Sequence, residues 1–149
     1  MDKMDRQILR ILQVDSGLSV SDIARKVGLS ASPCWKRINR LHKEGIIKRK
    51  IALLDADTLG FSLTAYVSIK TGEHSSHWLE EFSKTVTEMP EVMEFHRMAG
   101  DVDYMLKVMV PDIRAFDDFY KRLISTSAIS EVTSRFSMET IKQTTALPI

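Results

Sequence analysis

A single cysteine, Cys34, stands among the 149 residues. That excludes an internal disulfide framework and suits a reducing compartment. No apolar run approaches the ~20 residues a bilayer span requires. The opening MDKMDRQILR is charged and amphipathic, without the unbroken apolar core of a signal peptide. A soluble, cytoplasmic protein is expected. There is no Gly-rich phosphate loop and no nucleophile with a neighbouring base, so no catalytic residue and no cofactor are expected. The pairs Glu80/Glu81 and Asp117/Asp118 are sequence neighbours on helices, so their side chains diverge as solvated faces. His74 and His77 lie three apart, but without a Cys or a third His in register they predict no metal site.

Net charge is nearly absent overall, at +1, yet the charges are unevenly placed. Residues 1–50 hold 12 Lys and Arg against 5 Asp and Glu, a net of +7; residues 51–149 hold 9 against 15, a net of −6. A basic module joined to an acidic one implies that the first half meets a polyanion.

Three short helices are predicted in the basic half. Met4, Ile8, Ile11 and Leu12 make one apolar stripe, ended by Asp15-Ser16-Gly17. A second helix opens at Ser19 with Asp22 three residues on, buries Ile23, Ala24 and Val27, and ends at Gly28. The third has Ser30 or Ser32 as N-cap and Pro33 in its first turn. Cys34, Ile38 and Leu41 then point inward, which makes Cys34 a small buried hydrophobe. Ser32, Lys36, Asn39, Arg40 and Lys43 project outward, with Trp35 and Arg37 on the flanks. Gly45 ends the helix, and Ile46-Ile47 re-enters the core before Lys48, Arg49 and Lys50. This is the outline of a helix-turn-helix with a basic recognition helix. Asn39 and Arg40 have the chemistry to bond adenine and guanine edges, and the lysines to neutralise phosphates.

Past Asp55 the period changes. Leu63, Ala65, Val67 and Ile69 alternate as a strand. Ser75 or Ser76 caps a helix bearing Trp78, Leu79, Phe82, Val86 and Met89, stopped by Pro90. Strands follow at 92–99 and 104–110, then a helix with Ile113, Phe116, Tyr120, Leu123 and Ile124, then a last strand at 130–142. The order βαββαβ predicts a ferredoxin-like antiparallel sheet with both helices on one face. Tyr66, Phe95, Met105 and Met109 are expected on the other face, where a second copy would cover them. The fold class is thus α+β, an N-terminal winged-helix-like helix-turn-helix domain followed by a ferredoxin-like domain. The expected boundaries are 1–50, a linker strand at 51–61, and 62–149.

The segment VGLSASPCWKRINRLHKEGIIKRKIALLD, with MAGDVDYMLKV and SRFSMETIKQT, resembles the Lrp/AsnC (feast/famine) family of transcriptional regulators from Asp2 to Ile149. PCWKR and TEMPEVMEFHRMAG are most similar to its DecR-like branch, which brings cysteine forward as an effector. The resemblance implies dimers formed through the ferredoxin-like domain and often stacked into tetramers, octamers or hexadecamers. It also implies an amino acid held in a cleft between dimers, and promoter DNA that is wrapped or bridged. By position, Met98, Ala99, Gly100, Asp101, Asp103 and Tyr104 match the family's loop between the second and third strands. Phe136 and Ser137 match the part of the last strand involved in effector response. A carboxylate such as Asp101 or Asp103 suits an α-ammonium group, although Gly and Asp also make ordinary tight turns. Arg97 departs from the family pattern.

The expected function is a sequence-specific DNA-binding regulator that responds to an amino acid, cysteine or another such as leucine, through rearrangement of a homo-oligomer. Its expected DNA contacts are Ser30, Ser32, Trp35, Lys36, Arg37, Asn39, Arg40, Lys43, Lys48 and Arg49. The alternatives are a ligand-independent architectural DNA-wrapping protein and a regulatory subunit for an enzyme; the +7 segment opposes the second.

Overall fold

A computed structural model of the chain describes every residue except 74 and 126–128. His74, half of the histidine pair considered above, therefore lies outside the described residues. Two compact units emerge: Met1–Leu53 with Ile141–Ile149, and Leu54–Thr140.

The first unit is built on three helices. α1 (Lys3–Val14) opens with a reciprocal cap, the Asp2 carboxylate accepting from the Asp5 amide and the Asp5 carboxylate from the Asp2 amide, each at 2.9 Å. α2 (Val20–Val27) starts from the Ser19 hydroxyl, which accepts from the Asp22 amide. It ends at Gly28, whose φ of +70° would strain a residue bearing a Cβ. The Leu29 amide donates back to the Ala24 carbonyl at 2.9 Å, closing the turn. α3 (Ala31–Lys43) begins after Ser30, and Pro33 falls in the first turn, where its missing N–H removes no helical bond. Ile8, Ile23, Ala24, Val27, Cys34 and Ile38 form the core of the unit. Ile47 packs against that core, but Ile46, expected beside it, is exposed.

Residues 141–149 return to this unit. The Gln13 carboxamide holds both backbone groups of one residue: the Leu147 amide donates to Oε1 at 2.7 Å, and Nε2 donates to the Leu147 carbonyl at 3.2 Å. Arg10 donates to the Ile149 carbonyl. A cleft of about 700 Å³ opens here, lined by Leu9, Leu12, Ile51, Leu53 and Leu147 among others and by no residue of α3.

The second unit carries β1 (Leu63–Thr71), α4 (Ser76–Thr87), β2 (Val92–Arg97), β3 (Tyr104–Val110), α5 (Ile113–Ile124) and β4 (Ile129–Phe136). The strands form one antiparallel sheet in the order β2-β3-β1-β4. Alternation places Ala65, Val67 and Ile69 of β1 and Leu106, Val108 and Val110 of β3 against Trp78, Phe82 and Val86 of α4 and Phe116, Phe119 and Leu123 of α5. This is the βαββαβ arrangement with both helices on one face.

Several expectations need correction. No strand forms at 51–61 in the single chain: residues 51–55 lack regular structure and 56–60 are turns. Ile51, Leu53 and Leu54 are exposed there, because a strand needs a partner for its backbone groups. The last strand ends at Phe136, not at 142. Phe95 faces the helices instead of the open sheet face. The register slips between Val92 and Glu94, so Phe95 pairs with Leu106 and packs edge-on against Phe82 at 5.7 Å. In α5, Phe119 is wholly buried, whereas Ile113 and Ile124 are exposed. The open sheet face keeps Tyr66, Met105 and Met109 but frames them with polar pairs, Lys70–Glu131 at 3.0 Å and Lys107–Glu94 at 3.3 Å.

Candidate functional site

The outer surface of α3 follows from its core face. With Cys34, Ile38 and Leu41 buried, a 100° step per residue puts Ser32, Lys36, Asn39 and Lys43 opposite the core. Lys36 and Lys43 are exposed, and Asn39 is half-buried. Trp35, on one flank, is 55% exposed, unusual for so large an apolar ring. Ser30 caps the helix in extended conformation without a side-chain cap bond, which leaves its hydroxyl for another acceptor or donor. Lys48, Arg49 and Lys50 continue the exposed cationic run beyond the helix. Burial pushes the Cys34 thiol above its ordinary pKa, only partly countered by Arg37. Cys34 is therefore a packing residue, as its position on the stripe predicts.

Arg37 and Arg40 sit on the flank facing α1, and their partners come from its N-cap and first turn. Arg37 Nη1 lies 2.6 Å from Asp2 Oδ2 and 2.8 Å from Asp5 Oδ1, and Arg40 Nη2 lies 2.6 Å from Asp5 Oδ2. Among the described residues, Asp5 is the one fully buried charged side chain. Burial raises its pKa, but the Asp2 amide and the two guanidiniums outweigh that, and the carboxyl ends below its ordinary value. Asp2 is held down at about 2, first by the Asp5 amide and then by Arg37. Arg37 is raised above its ordinary value by Asp2 first and Asp5 second. The available signal was Asp5 itself, a carboxylate three residues before Ile8 on the buried stripe of α1, which burial obliges to find cations.

In the second unit, the expected effector residues divide. Met98, Ala99, Gly100 and Asp101 are exposed on the connection between β2 and β3, and Gly100 has a φ of +140°. Asp103 is committed to the fold: its carboxylate accepts from the Thr71 amide at 2.8 Å, its amide donates to the Ile69 carbonyl, and its carbonyl accepts from Met98. Tyr104 is buried among Trp78, Phe82 and Phe95. Phe136 is 40% exposed and edge-on to Phe116 at 4.9 Å, and the Ser137 amide donates to Thr64. Tyr104 pairs with Ile69 and Phe136 with Ala65, four residues apart on β1, or roughly 13 Å at strand rise. One chain does not bring the loop and the last strand into a single pocket.

Comparison with known proteins agrees with this architecture. Residues 1–48 match the winged helix-turn-helix DNA-binding family, and residues 64–147 match the Lrp/AsnC ligand binding domain. The DNA-binding transcriptional activator DecR of Escherichia coli strain K12 is 52% identical, the match covering 100% of this chain and 99% of that protein. A crystal structure of an AsnC family transcriptional regulator from Agrobacterium tumefaciens superposes with a TM-score of 0.97 at 56% identity, over 99% of this chain and 97% of that one. A Neisseria meningitidis transcriptional regulator in complex with L-Met superposes with a TM-score of 0.95 at 32% identity, over 99% and 96%. The three-helix basic unit, the βαββαβ unit and these likenesses together place the chain in the Lrp/AsnC family of DNA-binding transcriptional regulators.

Proposed function

We propose that the chain reads duplex DNA through the outer face of α3 and changes that reading when an amino acid binds the second unit. The observation that carries the first half is the set of exposed cations with no carboxylate partner among the described residues: Lys36 and Lys43 on α3, and Lys48, Arg49 and Lys50 beyond it. Ser30 and Ser32 at the helix start supply hydroxyls for phosphates, and Asn39 supplies an amide for a base edge. Trp35 is the flanking contact.

The effector is a small amino acid, cysteine, methionine or leucine being the first candidates. The Neisseria neighbour in complex with L-Met supports this class. Met98, Ala99, Gly100 and Asp101 form the exposed side of the pocket, with Asp101 as the carboxylate for the α-ammonium group. Phe136 and Ser137 reach the ligand from another copy, since a single chain keeps them apart from the loop. Tyr66, Met105 and Met109 on the open sheet face join two chains into a dimer, and dimers assemble further in a cytoplasmic setting. Ligand binding between dimers shifts the population of assemblies and hence the spacing of the DNA-reading helices.

Sedimentation velocity on the full chain, alone and with each amino acid, tests the sensing half. A shift in the assembly profile with at least one amino acid is expected. An unchanged profile and unchanged DNA affinity with all twenty would leave a ligand-independent architectural protein.

A further inference from the structure

We propose that Asp5 is a specificity-setting positioning residue of the DNA-binding unit: it holds Arg37 and Arg40 off the DNA backbone, leaving Lys36, Asn39 and Lys43 to face the groove. The inference rests on the DNA-binding reading above. Its basis is geometric. Two guanidiniums of α3 and two carboxylates of α1 form one closed cluster, with contacts of 2.6, 2.6 and 2.8 Å. The cluster is charge-balanced, so this flank adds no net positive field, and Glu44 Oε1 stands a further 3.7 Å from Arg40 Nε.

Burial does not keep the arginines from solvent. Their side chains are 30% and 47% exposed, within reach of a polyanion lying on α3. Their carboxylate partner is what withholds them. Drawing a guanidinium to a phosphate would leave the Asp5 charge buried with one partner fewer, and an underpaired buried charge is costly. An arginine free on a groove-facing helix would instead bind phosphates of any sequence, since backbone contacts carry no direct base information. The cluster therefore limits sequence-blind affinity while fixing the orientation of α3 on α1.

The test is the salt dependence of binding of the full chain to a fluorescein-labelled mixed-sequence duplex of about three helical turns. Each phosphate contact contributes a slope of about 0.9 in log K against log salt. Asp5→Asn keeps the side-chain shape and releases Arg40, while Asp2 still holds Arg37, so its slope is expected to steepen by about 0.9. Adding Arg40→Gln to that variant should return about 0.9 of the increase. In the otherwise unaltered chain, Lys43→Gln should flatten the slope by about 0.9, whereas Arg40→Gln should leave it in place. This last pair keeps the test decisive if Asp5→Asn does not fold by circular dichroism. Equal flattening by Arg40→Gln and Lys43→Gln, or a folded Asp5→Asn with an unchanged or shallower slope, would overturn the inference while leaving DNA binding intact. An unaltered chain that ignores the duplex at low salt would instead overturn the DNA-binding reading.

Discussion

Asp5 combines three tasks in one side chain: it caps α1, it is buried, and it binds both arginines of α3. Stability at low pH follows from that. Asp2 and Asp5 both titrate below the unfolded carboxyl value of 3.8, so their contribution is complete above that value and is lost as pH falls through the folded pKa values. The protection factors of the Ile8 and Ile38 amides, their exchange measured against the intrinsic rate at each pH, should hold from neutral pH down to about 4 and then fall toward pH 2. Asp2→Asn should reduce that acid dependence. Loss of protection already well above pH 5, unaltered in Asp2→Asn, would contradict the account. Composition could not foretell this cluster, because Arg40 belongs to the polar side of α3 by helical count and only the crossing of α1 supplies its partner.

At the scale of elements, periodicity identified the helices and strands well where one face is dry and the other wet. The capped start at Ser19, the start at Ser75 or Ser76 and the stop at Gly28 were legible because each relies on chemistry within a few residues. The misjudged positions depend on distant partners. Phe95 changed faces because of a slip in the ladder, which no count along β2 reveals. Apolar residues cover a wide arc of α5, so its sequence does not declare that Phe119, and not Ile113 or Ile124, faces the sheet. Phe119 is fully buried, so Phe119→Ala should cost about 3–5 kcal/mol in urea unfolding of the second unit. Phe→Ala at exposed Phe61 serves as the control, and equal losses at both positions would refute the packing described here.

For the molecule as a whole, the charge division sharpens once the tail is assigned to its unit. Met1–Leu53 with Ile141–Ile149 holds 13 Lys and Arg against 5 Asp and Glu, a net of +8; Leu54–Thr140 holds 8 against 15, a net of −7. The tail was the least legible part of the chain, because its docking depends on Gln13 bonding the backbone N–H and C=O of Leu147, with no apolar period to announce it. The proposed effector region was legible as a loop but not as a pocket, since its pieces lie on different strands and one chain does not bring them together.

The central claim is that DNA meets the outer side of α3 and the cationic run behind it. Lysine acetylation read by mass spectrometry, with and without a duplex, tests it directly. The account predicts that DNA protects Lys36, Lys43, Lys48 and Lys50 while exposed Lys84 and Lys121 of the second unit react as before. Protection spread evenly over all six, or confined to the second unit, would contradict it.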